Sequence, residues 1–298
     1  TVIGIAADGI TAAGNAAGVY IHASSISNTI GGPLPSERNI ISGNSVYGVR
    51  LVATAAANLI QGNYIGTNRA GDGPVGNGQT GVTFEGPAAV GTIRGNVISG
   101  NTVRAIQVGS TAAGGGVIIA GNRIGTSADG LSAVPNGTPG GQYAVLITNA
   151  PRTVIGGTSG LTPGACTGDC NLISGNNVGG ILVNGEGTGV LIQNNFIGTD
   201  ILGTGVPAGH VPVGVGNTTD GIGMNVAEAA IVEGNLLSGN GDDGVSSSFA
   251  GATALIIRGN KIGTNAAGTS GISNRRGVRI HNSTGVTIGG ATPAEANL

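Results

Sequence analysis

Two short phrases alternate along this chain, and their spacing leaves few architectures open. The first occurs at 39–44 (NIISGN), 96–101 (NVISGN), 171–176 (NLISGN) and 235–240 (NLLSGN), and starts again at Asn297-Leu298. The second occurs at 63–67 (NYIGT), 122–126 (NRIGT), 195–199 (NFIGT) and 260–264 (NKIGT), with a truncated copy at Val2-Ile3-Gly4. Ile41 to Ile65 is 24 residues, Ile98 to Ile124 is 26, Ile173 to Ile197 is 24 and Leu237 to Ile262 is 25. The intervening intervals stretch: 38 from Ile3 to Ile41, 33 from Ile65 to Ile98, 49 from Ile124 to Ile173 and 40 from Ile197 to Leu237. A near-constant unit alternating with an extensible one is the behaviour of repeat proteins whose insertions are confined to loops.

Each unit holds three short apolar segments that alternate in the manner of strands, as in GVRLV (Val49, Leu51), GVTFE (Val82, Phe84) and GVRI (Val278, Ile280). Gly and Asn separate them, without the two-residue turns that would fold neighbours into hairpins. Of 298 residues, 61 are Gly, 3 Phe, 4 Tyr and none Trp, so a core has to be built from Ile, Val, Leu and Ala. These constraints together predict an all-β, single-stranded parallel β-helix in which every turn contributes one strand to each of three parallel sheets. About nine coils fit at the ~4.8 Å strand spacing, forming one domain over 1–298 that starts and ends within a repeat. Such ends are expected of a fragment of a longer solenoid or of a subunit that stacks into a filament.

Corners between sheets need residues that tolerate positive φ, which Gly and Asn supply. The Asn positions held in fixed register beside the apolar pair, Asn39, Asn63, Asn96, Asn122, Asn171, Asn195, Asn235 and Asn260, are expected to form a ladder of side-chain amides between coils; the alternative is that they mark polar turns. Insertions fall after I-G-T (68–79, 127–142, 200–220) and after T-I-G-G (33–38, 158–170). A local function is expected in this stretchable half.

Charge narrows the function. Charged residues make up 9%, with 12 basic against 14 acidic side chains and a net charge of −2; no basic patch exists to neutralise phosphates, so no nucleic-acid partner is expected. No run of about 18 apolar residues occurs, so membrane insertion is not expected either. The first residue is Thr1, consistent with a processed form or a fragment. Cys166 and Cys170, in GACTGDC, fit a loop-closing disulfide in an oxidising compartment; free thiols or half of a metal site are the alternatives, although no His lies nearby to complete the latter. No metal and no cofactor are expected. His22 and His281 follow G-V-x-I many coils apart, and His210 sits in a long loop; all three fit surface or loop positions. Tyr20, Tyr47, Tyr64, Phe84, Tyr143, Phe196 and Phe249 are spread along the chain, which predicts no aromatic platform for sugars. Thr67, Thr126, Thr199 and Thr264 recur once per two coils, too sparsely for a flat ice-binding array.

The recurring N-x-I-S-G-N, G-V-x-I, T-I-G-G and G-N-x-I-G-T segments resemble the right-handed parallel β-helix repeats of bacterial secreted and cell-surface proteins with the pectate-lyase-like fold. The resemblance covers nearly the whole chain and implies a right-handed coil and an extracellular or cell-surface location. That fold hosts lyases, hydrolases, adhesins and structural proteins alike. Within it, N-T-T-D-G-I at 217–222 and G-D-D-G at 241–244 resemble the N-T-D-G and Q-D-D segments of polygalacturonase-type hydrolases, which implies Asp220, Asp242 and Asp243 as catalytic carboxylates. Inverting hydrolysis would place an acid and a base about 6.5–9.5 Å apart with water between them, and Asp220 and Asp242 are 22 residues apart, about one coil. The chain departs from that pattern in the extra Thr219 and in lacking the following G-H-G; the later R-I-K is echoed by RGVRI at 276–280.

The expectation that follows is a structural or adhesive protein of the cell surface or an extracellular filament, self-associating end to end and offered to cell-surface glycans. The alternatives are a polysaccharide-acting hydrolase or lyase of the pectin-degrading type and a non-catalytic carbohydrate-binding solenoid.

Overall fold

The computed structural model describes residues 1–87, 90–109, 116–141, 143–160, 164–211, 213–225, 228–247 and 252–298. The chain winds through three parallel sheets of nine strands each, and every coil contributes one strand to each sheet in the same order. Sheet 1 is built from two-residue strands such as Ile40–Ile41, Tyr64–Ile65 and Val97–Ile98. Sheet 2 carries the longest strands. From the first coil to the ninth they are Ala17–Ile21, Tyr47–Val52, Thr80–Glu85, Arg104–Gly109, Tyr143–Thr148, Gly179–Asn184, Ile222–Asn225, Asp243–Ser247 and Arg276–Ile280. Sheet 3 closes each coil, from Thr29–Gly31 to Thr287–Ile288. There is no α-helix among the described residues; two 3-10 turns occupy Pro35–Glu37 and Pro293–Glu295.

The period of the sequence is the register of sheet 1. Ile3 pairs with Ile41, Ile41 with Ile65, Ile65 with Ile98 and Ile98 with Ile124. The column continues through Ile173, Ile197, Leu237 and Ile262. Each residue of this column sits on its own equivalent one coil away, so intervals from 24 to 49 residues leave the core unchanged. Parallel columns come from Val49, Val82, Ile106 and Val145 in sheet 2 and Ile60, Ile93, Ile119 and Ile155 in sheet 3, all fully buried. The β-branched side chains suit a pleated surface buried on one side.

Two polar rows run through the interior beside these columns. In the first, Asn39, Asn63, Asn96, Asn122, Asn171, Asn195 and Asn235 each donate a side-chain N–H to the Oδ1 of the next, and Asn260 closes on Asn297. The same Oδ1 also accepts the backbone N–H of the Asn in the preceding coil, as between Asn96 and Asn122 at 3.0 Å. The second row links Asn44, Asn77, Asn101, Asn136, Asn176, Asn217, Asn240 and Asn274 in the same way. Buried amides held this way leave neither donor nor acceptor orphaned, which is the condition for polar groups inside a core.

The alternation of the two phrases also has a local cause. The hydroxyls of Ser42, Ser99 and Ser238 accept the N–H of Gly66, Gly125 and Gly263, one coil further on. In these three copies Ser of S-G-N therefore serves Gly of I-G-T, whereas the Ser174 hydroxyl finds no partner among the described residues. Gly125 has φ +90, and a Cβ there would lie 2.3 Å from Asn176 Oδ1, so only glycine allows the second asparagine row to pass.

Candidate functional site

Sheet 2 brings residues of the sequence's candidate trio onto one outward column. Because Ile222 pairs with Val245 and Asp243 with Arg276, Asp220 of the seventh coil, Asp243 of the eighth and Arg276 of the ninth are stacked neighbours. Asp242 lies in the turn just before Asp243. The nearest carboxylate oxygens of Asp220, Asp242 and Asp243 are within 4.8 Å of one another. The N–H of Asp243 donates to Asp220 Oδ1 at 3.0 Å.

Tyr143, two coils before Asp220, completes the arrangement. Its hydroxyl donates to Asp220 Oδ2 at 2.8 Å. The ring reaches that far by lying along the outside of the sheet over two glycines: a Cβ on Gly179 or on Gly223 would fall 2.4 Å from its Cε1 or its hydroxyl oxygen. Burial, with the Asp220 carboxylate beside it, holds the phenol well above its ordinary value. Burial is also the main force on Asp220, raising its carboxyl above the usual range; the Tyr143 and Asp243 hydrogen bonds work against this, and the neighbouring acids reinforce it.

Arginine neutralises the rest. Asp243 has no exposed surface; Arg276 Nε donates to its Oδ1 and Arg279 Nη1 stands 3.9 Å from its Oδ2. Asp242 receives Arg276 Nη2 at 2.7 Å and Arg275 Nη1 at 3.4 Å. Asp243 Oδ2 makes no hydrogen bond. Three acids and three arginines thus form a locally neutral knot tying the last three coils together.

This geometry differs from the inverting arrangement that the resemblance implies. The carboxylates are closer than the roughly 6.5–9.5 Å that leaves room for a water between acid and base, and Asp243 is sealed beneath Arg276. Three converging carboxylates are chemically able to hold a small cation, but Arg276 already pairs with two of them, Asp242 and Asp243.

The remaining candidates are dispersed. His22 and His281 are exposed on the first and last coils, whereas His210, in the 200–220 loop, is 2% exposed, contrary to a surface position. Its Nδ1 lies 2.9 Å from the Val215 carbonyl, its Nε2 is buried without a partner, and burial pushes its pKa down. Thr67, Thr126 and Thr199 are fully buried and present no surface array. Cys166 and Cys170 form a disulfide that closes a five-residue loop end.

The aromatics are less scattered than the sequence implied. Tyr20 and Tyr47 flank Arg50, whose guanidinium carbon is 5.9 Å from one ring centroid and 4.7 Å from the other, while the His22 ring stacks on Tyr20. Parallel register brings them together, since Ala17 pairs with Tyr47 and Tyr20 with Arg50. Tyr64 packs separately under Arg38, Phe84 is core, and Phe196 joins a side cluster; Phe249 lies outside the described residues.

Sequence reasoning did not single out Tyr143 as a partner of Asp220, nor the loop-borne members of the second asparagine row, Asn77, Asn136 and Asn217. A signal for that row existed: V-G-N at 75–77 and 215–217 and V-P-N at 134–136 each end a variable loop just before a sheet 2 strand. Comparison of the chain with protein-family models, with curated proteins and with solved structures returned no match.

Proposed function

We propose that this chain is a structural and adhesive solenoid of a cell surface or extracellular filament. The observation that carries this reading is the state of its acid cluster: Asp243 is wholly buried and bound to Arg276, and Asp242 is shared between Arg275 and Arg276. Carboxylates so engaged serve as ties between coils. The unbroken interior rows support the same reading, because they make each coil a template for the next. The Cys166–Cys170 disulfide agrees with an oxidising, extracellular setting. End-to-end association belongs to the proposal, because the parallel registers and the asparagine rows make the coils complementary to one another. Sedimentation over a wide concentration range tests it: growing end-to-end species are expected, and a chain that remains monomeric at high concentration would remove self-association from the account.

A second reading is favoured by one observation. Asp220 is a half-buried carboxyl with a raised pKa beside the half-buried Asp242, and a carboxyl displaced in this way is common at acid–base sites. It would make the chain a polysaccharide-acting enzyme, with Asp220 as the candidate general acid and Asp242 as its partner carboxylate. Product formation lost in Asp242→Asn would place this reading above the first.

A further inference from the structure

The strongest unexplained charge lies on sheet 1. Arg123 projects outward from Arg123–Ile124, flanked in register by Val97 and Leu172. It makes no ion pair among the described residues, and its Nε is buried without a hydrogen-bond partner among them. Asp129 is the acid that acts on it, from beyond ion-pair distance, and that carboxylate is already taken up by the Ser127 hydroxyl and the Leu131 N–H. Burial therefore dominates and pulls the guanidinium pKa down. A guanidinium partly removed from water and left without an anion is poorly compensated.

Arg123 also lines a pocket of about 230 Å³, walled by Gly121, Asn122, Leu172 and the Cys166–Cys170 turn. The wall is firmly built. The disulfide closes the turn, Arg94 pairs with Asp169, Gly121 N–H donates to the Asp169 carbonyl at 3.0 Å, and Cys166 N–H to the Ile201 carbonyl at 2.9 Å. Two of the lining residues are glycines, Gly121 packed against Gly168, so a ligand can approach closely there. On the other side of the same turn, a second cleft is lined by Cys170, Phe196 and Lys261, another cation without an ion-pair partner among the described residues.

We propose that the pocket beneath the Cys166–Cys170 turn binds a small oxyanion, with the Arg123 guanidinium as its charged partner. Planar, always-charged guanidinium pairs with carboxylate, sulfate or phosphate through paired N–H groups, and the apolar disulfide and Leu172 wall strengthens that attraction by excluding water. The shared chemistry admits two sources, a free inorganic anion or the carboxylate of an acidic sugar.

Titration calorimetry of the full chain in low-chloride buffer tests this, with inorganic sulfate in one arm and galacturonate in the other. Saturable one-site binding is expected in at least one arm, and the tighter arm identifies the source. Arg123→Gln should weaken it at least tenfold, Arg123→Lys less, and Arg69→Gln, at an exposed arginine elsewhere, should leave it unchanged. Thr167→Asp sets a carboxylate at the mouth without touching Arg123 and should also abolish binding, so the result does not depend on how well Arg123→Gln folds. Absence of saturable binding in both arms, equal affinity in Arg123→Gln, or equal loss in Arg69→Gln would overturn the proposal.

Discussion

The asparagine rows inside the coil and the charged column on sheet 2 are both stacks of polar side chains repeated coil upon coil. One runs the length of the molecule and the other does not. An amide is donor and acceptor at once, so Asn96 can accept from Asn63 and donate to Asn122, and the same residue works at every level. A carboxylate only accepts. Asp220 above Asp243 therefore needs something else: a backbone N–H, the Tyr143 hydroxyl, a shifted pKa and finally the arginines. The contrast is between a self-complementary group that can be repeated indefinitely and a like-charged one that has to be terminated by its opposite. It explains why the phrase N-x-I recurs while stacked acids on sheet 2 are confined to the cluster of Asp220, Asp242 and Asp243.

Exchanging the two chemistries should break this contrast in opposite directions. The largest effect is expected for Asn122→Asp. It removes donors to Asn171 Oδ1 and to the Ile93 and Ala120 carbonyls and sets a carboxylate against an acceptor in the core. More than about 4 kcal/mol of stability should be lost in urea unfolding, the sum of several unsatisfied buried groups. Asn122→Ala, which removes the amide without adding charge, should cost about 3 kcal/mol on the same principle. A loss below about 1 kcal/mol in either variant would mean that the apolar columns hold the coils unaided.

On the sheet 2 face, Arg276→Gln should lower the urea midpoint, because it leaves the buried Asp243 carboxylate without its partner. Adding Asp243→Asn to that variant should restore part of the loss, a coupling read from the double-mutant cycle. If the two losses simply add, the knot is not a tie between coils.

Asp220→Asn should act in the reverse sense. The Asp220 pKa is raised in the folded chain, so ionisation opposes folding. Its contribution is fully present below the ordinary value of 3.8 and is lost as pH rises through the raised folded pKa. The Asn variant should therefore be the more stable one at pH 7, the gain fading as pH falls through the raised folded pKa toward 3.8. The smallest effect belongs to Asp129, whose pKa is lowered by the Ser127 hydroxyl and the Leu131 N–H. Its stabilisation is present above 3.8 and is lost as pH falls, so Asp129→Asn should cost about 1 kcal/mol or less at neutral pH. Stability-against-pH curves of the two variants should diverge from wild type with opposite sign.

The fold was legible because the constraint that makes it is periodic. Ile41, Ile65 and Ile98 occupy one column however many residues lie between them, so spacing alone revealed the coil. The face of sheet 2 was only partly legible. Motif likeness and a one-coil spacing pointed to Asp220, Asp242 and Asp243, but nothing local marks Tyr143, which lies 77 residues from Asp220 in sequence and reaches it over two glycines. Nor does spacing reveal that Arg276 covers Asp243, because a register position fixes where a residue stands and not whether its charge is free. The pairing of Tyr20 with Arg50 and Tyr47 was missed for the same reason: side chains far apart along the chain become neighbours only when the strands are laid in register.

The central claim, that the acid cluster ties coils together and performs no catalysis, is tested most directly by assaying the wild-type chain and Asp242→Asn for new reducing ends on acidic and neutral glycans. Both proteins should be verified as folded by their urea midpoints. The account predicts no product from wild type above the level given by the variant. Steady product release by wild type that disappears in Asp242→Asn would contradict it.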